Sequence, residues 1–254
     1  MSEEVLVSKE NGVMIITINR PEAKNAVNRA VSFAVCEAID ELESSRDLTV
    51  GVLTGAGGTF SAGMDLKAFL KGEQIVVEGR GMCGISQNPP QKPLIAAVEG
   101  FALGGGFELA MCCDLVVAAE DAKLGMPEAK RGLLAGGGGL LRTPRQAPLR
   151  VAMEMALIGD FIDPRRAYEV GLVNRVTESG GALDVAKDLA AKIAANGPLA
   201  VAGSKKIILE SREWSDAEMW EKQDAILKPV FASEDAQEGP RAFAEKRAPQ
   251  WKGK

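Results

Sequence analysis

Residues 5–9 read as a strand, and Asn11-Gly12 follows close behind. Asn-Gly between alternating runs signals a tight hairpin, because both residues tolerate positive φ. A second strand is expected over 13–19, with Ile16 and Ile18 on one face, ended by Arg20-Pro21. Over 28–44 the period becomes helical, with Val31, Val35, Ile39 and Leu42 on one stripe. Apolar runs at 50–54, 94–98 and 114–119 read as strands, and 107–113 as a short helix. Residues 67–92 lack a clear period, and a helix plus a mobile loop is expected there. Past Pro127 the pattern turns helical. Helices are predicted at 151–157, 163–170 and 183–195, with a strand at 172–176.

Asn196-Gly197-Pro198 breaks the last of these helices and marks a boundary. Residues 1–197 then form the core, and 198–254 a helical region with Trp214, Trp220, Phe231, Phe243 and Trp251 as apolar anchors. Strand, helix and glycine-rich turn recur through 13–125. That order predicts an α/β fold of stacked ββα units rather than a doubly wound sheet.

Composition narrows the chemistry. The net charge of -5 lacks the basic footprint of a general nucleic-acid binder. No apolar run is long enough to span a membrane, and residues 1–10 lack the plan of a secretory signal. A cytoplasmic location is expected. Cys36, Cys83, Cys112 and Cys113 lack metal-ligand spacing and read as reduced thiols. The chain has no histidine and a single tyrosine, Tyr168. Ser-His-Asp triads, Cys-His dyads and His-ligated zinc are thereby excluded, which leaves acid-base work mainly to Asp, Glu, Lys or Cys.

Two glycine runs stand next to candidate acids. In Leu103-Gly104-Gly105-Gly106-Phe107-Glu108 the backbone can approach a ligand closely at a helix start. Free N–H groups there suit a developing oxyanion, although a tight turn alone would also need glycine. Gly136-Gly137-Gly138-Gly139 lacks the Lys-Ser/Thr of a phosphate loop. It reads either as a helix start or as a flexible loop. Glu108 and Glu128 each fit an ordinary acid in a first helical turn. As a pair they suit water addition, one as base and one as acid.

The chain is identified by resemblance as a member of the crotonase (enoyl-CoA hydratase/isomerase) superfamily. The resemblance is carried by residues 61–67, by 95–110 and by Leu124-Gly125-Met126-Pro127-Glu128, with 20 positions from Glu108 to Glu128. Residues 243–247 resemble the family's C-terminal helix. It implies a ClpP/crotonase spiral with a C-terminal trimerisation region, and a homotrimer or a dimer of trimers. The Met64 and Gly105 N–H groups would form the oxyanion hole, with Glu108 and Glu128 holding water. Gly136, at a helix start, would lend its dipole to the thioester. Ala62, Asp65, Leu66 and Lys67 would lie along coenzyme A, and Phe243 and Lys246 would reach coenzyme A in a neighbouring subunit. No separate cofactor or metal is implied, because coenzyme A is part of the substrate.

The activity implied is syn hydration of a 2-enoyl-CoA, as in fatty-acid β-oxidation. Residues 126–132 and 140–144 are similar to the carnitinyl-CoA dehydratase branch. Crotonobetainyl-CoA hydration, enoyl-CoA isomerisation and non-catalytic acyl-CoA binding are the alternatives. Glu99 stands where many hydratases carry Asn, Leu140 replaces a common Thr, and 69–92 match poorly.

Overall fold

The computed structural model describes residues 3–254, so the first two residues of the N-terminal stretch lie outside it. Strands β1 (Val5–Glu10) and β2 (Val13–Ile18) pair antiparallel. Asn11 and Gly12 between them both take positive φ, 51° and 80°, as the Asn-Gly signal requires. Asn28 caps α1 (Arg29–Ser44), its side chain accepting from the Val31 N–H at 2.9 Å. The expected stripe, Val31, Val35, Ile39 and Leu42, is buried.

Strand β3 (Val50–Gly55) runs parallel to β2. Then come α2 (Leu66–Leu70), the short pair β4 (Val76–Val77) and β5 (Gly81–Met82), and β6 (Leu94–Val98). Next are β7 (Phe101–Leu103), α3 (Gly105–Cys112), β8 (Leu115–Ala119) and β9 (Lys123–Gly125). A 3₁₀ turn, Pro127–Arg131, leads to α4 (Gly139–Gln146), α5 (Leu149–Ile158) and α6 (Pro164–Glu169). The chain ends with β10 (Arg175–Thr177), α7 (Ala182–Ala194), α8 (Pro198–Glu210), α9 (Met219–Phe231) and α10 (Glu234–Glu245). Among the described residues no helix is long and apolar enough to cross a membrane.

The main sheet has the order β1-β2-β3-β6-β8-β10 and is parallel beyond the first hairpin. Strands β7 and β9 form a second parallel sheet, which single bridges extend to Ser61 and Ile162. Strands β3, β6 and β8 of the main sheet thus each hand the chain to a second layer before it returns. This is the expected stacking of ββα turns.

Both faces of the main sheet are covered, so its strands are near-continuously apolar. Leu53, Leu94, Ala96 and Val98 pack with α1 and α3 in one core. Val50, Val52, Ile95, Ala97 and Val117 pack under Ala182, Ala186 and Ala190 of α7 in the other.

Three expectations are corrected. Leu172 and Val173 do not begin a strand. Their N–H groups return to the Ala167 carbonyl to close α6, and pairing starts at Arg175. The helix expected after residue 67 is only α2. The rest of 67–92 is a hairpin and turn, tied down by Arg80 to Asp40 (2.5 Å) and by the Met82 N–H to Ser86 Oγ (2.8 Å). Trp220, Phe231 and Phe243 are exposed rather than anchors within one chain: α9, which carries the first two, buries no residue, and Phe243 lies on the outer face at the end of α10. Lys205 of α8 nevertheless reaches back to the start of β8, where its Nζ meets Asp114 at 2.6 Å.

Candidate active site

The site lies where the loop after β3 crosses the start of α3. Val27 bridges Met64 in parallel fashion: the Val27 N–H donates to the Gly63 carbonyl, and the Asp65 N–H donates to the Val27 carbonyl. In such a bridge the flanking residues make the bonds, so the Met64 N–H points the other way. It faces the start of α3, where the Gly105 N–H has no partner within its own helix. Gly63 (φ 94°) makes the approach possible. A Cβ there would sit 2.5 Å from the Leu103 carbonyl oxygen and 2.9 Å from the Gly105 nitrogen. Gly104 turns the chain into α3 with φ 54°. Met64 and Gly105 therefore stand side by side on one wall of a cavity of about 530 Å³.

Glu108 and Glu128 line the same cavity. Glu108 is 3% exposed, on the first turn of α3. Its Oε1 accepts the Gly139 N–H at 2.8 Å. Burial raises its pKa; the Gly139 and Gly137 N–H groups and the Arg142 charge pull against that rise. Glu128 sits on the 3₁₀ turn that Pro127 opens, and its Oε2 is buried without a hydrogen-bond partner. Its pKa is raised by burial and further by the charge of Glu108. A carboxylate whose ionisation is opposed by a neighbouring acid holds its proton more readily, which suits paired acid-base work.

Other expected residues divide. Ala62 and Leu66 line the cavity. Asp65 instead caps α2, accepting from the Lys67 and Ala68 N–H groups, and pairs with Arg20 at 3.1 Å. Burial pushes the Asp65 carboxyl up, but those N–H groups and Arg20 outweigh it and hold it below its ordinary value. Lys67 is exposed and is not part of the lining. Gly136 lines the cavity but does not start a helix, because Gly138 takes φ 101° and α4 begins only at Gly139. The helix-start N–H beside the acids is that of Gly139, one turn from where it was expected. Phe243 and Lys246, at the end of α10, lie outside this chain's own cavity.

Lys24, Met82 and Arg131 also line the cavity and were missed from the sequence. Lys24 stands 4.7 Å over the Phe101 ring and has φ 50°. Its one signal was position, before an Asn in a Pro-initiated turn. Arg131 lies three positions past Glu128 and looked like an ordinary basic residue at a helix end. Among the described residues no group of Cys, Asp and Glu could hold a metal ion.

The sequence profile of the enoyl-CoA hydratase/isomerase family matches residues 8–254. The chain belongs to this family. A solved enoyl-CoA hydratase from Mycobacterium tuberculosis is 58% identical, with a TM-score of 0.98 over the whole of both chains. A carnitinyl-CoA hydratase structure from Mycobacterium avium is 42% identical, with a TM-score of 0.79 over the whole of both. The carnitinyl-CoA dehydratase of Salmonella typhi is 40% identical over the full length of both sequences. The crotonase fold expected from the motifs is thus the fold of this member of the family.

Proposed function

We propose that this protein is a hydro-lyase that adds water across the 2,3 double bond of a 2-enoyl-CoA thioester. The observation that carries this reading is the meeting of two carboxylates of raised pKa with two free N–H groups in one cavity. The thioester carbonyl oxygen accepts the Met64 and Gly105 N–H groups. Their dipoles stabilise the enolate oxygen that forms as water attacks the β-carbon. Glu108 is the better base, because the Gly139 N–H and Arg142 favour its ionised form. Glu128 is the better acid, because an unpartnered oxygen and the charge of Glu108 favour its protonated form. Glu108 takes a proton from water, the water oxygen bonds to C3, and Glu128 returns a proton to C2.

The test is a kinetic screen of 2-enoyl-CoA thioesters of different chain lengths. Glu108→Gln and Glu128→Gln are each expected to lower kcat by about 100- to 10,000-fold, the usual worth of general acid-base catalysis. Full hydration of crotonyl-CoA by the double variant refutes the mechanism. Coenzyme A binding without turnover of any thioester favours a non-catalytic acyl-CoA-binding protein.

A second reading is crotonobetainyl-CoA hydration, favoured by the 40% identity to the Salmonella typhi protein of that branch. Turnover of the trimethylammonium substrate with none of straight-chain enoyl-CoAs selects it. We further propose a cytoplasmic homotrimer or dimer of trimers in which Phe243 and Lys246 contact a neighbour's coenzyme A. Helices α8 and α9, which bury nothing within one chain, support an assembly through this region. A monomer in sedimentation analysis rejects it.

A further inference from the structure

Glu108 is held by the N–H of Gly139, the last residue of a four-glycine run that has no side chains to pack. Glycine backbones are the least constrained of all, so something outside the run must fix it. Arg142, half-buried in α4, bridges two loops. Its Nη1 donates to the Gly137 carbonyl at 3.3 Å, and its Nη2 donates to the Ser86 carbonyl at 2.7 Å. Ser86 closes the turn after β5, where its Oγ accepts the Met82 N–H at 2.8 Å. The Met82 side chain returns toward the site: Cβ atoms built on Gly105 and Gly137 would lie 3.1 Å from its Sδ and 3.2 Å from its Cε. The guanidinium thus ties the loop that holds Glu108 to the loop that walls the cavity. Arg142 itself does not line the cavity, so it acts through these loops.

We propose that Arg142 is a positioning residue for Glu108: it locks the glycine run onto the Ser86 turn, so that the Gly139 N–H sets the carboxylate for proton transfer. The role in catalysis rests on the hydratase reading above; the lock itself does not.

The experiment compares wild type, Arg142→Gln and Arg142→Lys. It measures kcat and KM for crotonyl-CoA across pH, and hydrogen–deuterium exchange of peptides covering residues 136–143. Arg142→Gln is expected to lower kcat about 10- to 100-fold, the effect of a catalytic group displaced by less than about 1 Å. KM stays within about twofold, because the thioester contacts are untouched. The limb of the kcat profile that Glu108→Gln abolishes moves to higher pH, since a neighbouring positive charge is gone. Arg142→Lys keeps that charge and restores the limb. Its kcat stays low, because an ammonium lacks the planar fork that spans two carbonyls. Exchange over 136–143 quickens in both variants.

Wild-type kcat in Arg142→Gln, or a lowered kcat with limb and exchange unmoved, overturns the proposal. If Arg142→Gln does not fold, Arg142→Lys decides: full kcat with wild-type exchange overturns it. A wild type that hydrates no thioester refutes the hydratase reading instead. The exchange comparison then still decides whether Arg142 holds the glycine run.

Discussion

Two adjacent glycines give the sharpest test of the site's geometry. A methyl group on Gly137 would land 2.8 Å from Glu108 Oε2 and 3.1 Å from its carboxyl carbon. Ordinary contact begins near 3.4 Å, so the carboxylate must retreat by about 0.6 Å. Met82 Cε, 3.2 Å from the new methyl, also crowds it, and the Gly139 N–H holds the other carboxylate oxygen. A displacement of about 1 Å at a catalytic group can cost about 100-fold, so Gly137→Ala should lower kcat by roughly 10- to 100-fold. The fold should survive, because Gly137 is not in the positive-φ region and its backbone is partly exposed. On Gly136 the same methyl meets nothing within 4 Å. Any effect of Gly136→Ala should fall on KM, since only bound substrate could meet the new group. Steady-state kinetics on the preferred thioester, with thermal melts as a folding control, make the comparison. Wild-type kcat in Gly137→Ala, or an equal loss of kcat in both variants, refutes the reasoning.

Three further outcomes follow from packing and charge. Glu128 has a pKa raised above its ordinary 4.5 on folding, so its contribution to stability is complete below about pH 4 and is lost as pH rises through the folded value. Glu128→Gln should therefore melt higher than wild type at pH 8 and match it near pH 4; equal Tm values at pH 8 refute this. A Cβ on Gly106 would be driven into the Ser61 backbone carbonyl, which cannot yield as a side chain would. Gly106→Ala should cost about 3 kcal/mol, the upper end for overpacking, and lower Tm by roughly 6–12 °C for a domain of this size. Lys205, 9% exposed, pairs with Asp114 and also donates to the Lys92 carbonyl at 3.0 Å. Lys205→Met should cost about 1 kcal/mol in urea unfolding by leaving the partly exposed Asp114 carboxylate without its ion pair, and Asp114→Asn should relieve part of that loss; additive losses refute the pairing.

Much of the fold was legible because its signals are local. The Asn11-Gly12 turn, the Asn28 cap and the α1 stripe each rest on residues within one or two turns of chain. The boundaries that failed depend on tertiary contact. Leu172 and Val173 have the composition of a strand. They sit in the core as a helix stop because β10 can pair with β8 only from Arg175 onward. The exposed Trp220, Phe231 and Phe243 carry the same apolar signal as core residues. Sequence cannot say whether their partner lies within the chain.

The site shows the same division more sharply. Met64, Gly105, Glu108 and Glu128, which line one cavity, were legible as candidates because each lies in a short run of characteristic residues. Asp65 stands in such a run too, yet Arg20, 45 positions away, and the start of α2 engage its carboxylate. Arg142 offered no local signal at all, since its two acceptors are backbone carbonyls, one of them 56 positions distant. Residue type marks the groups that do chemistry. What holds them in place is largely backbone geometry, and here that means four glycines, two loops and the single guanidinium that bridges them. A chain without histidine can tune its two acids only through burial, N–H bonds and each other's charge. Small displacements of the loops should therefore move both rate and pH profile together, and that coupled response is what separates a positioned pair of carboxylates from two acids that merely share a cavity.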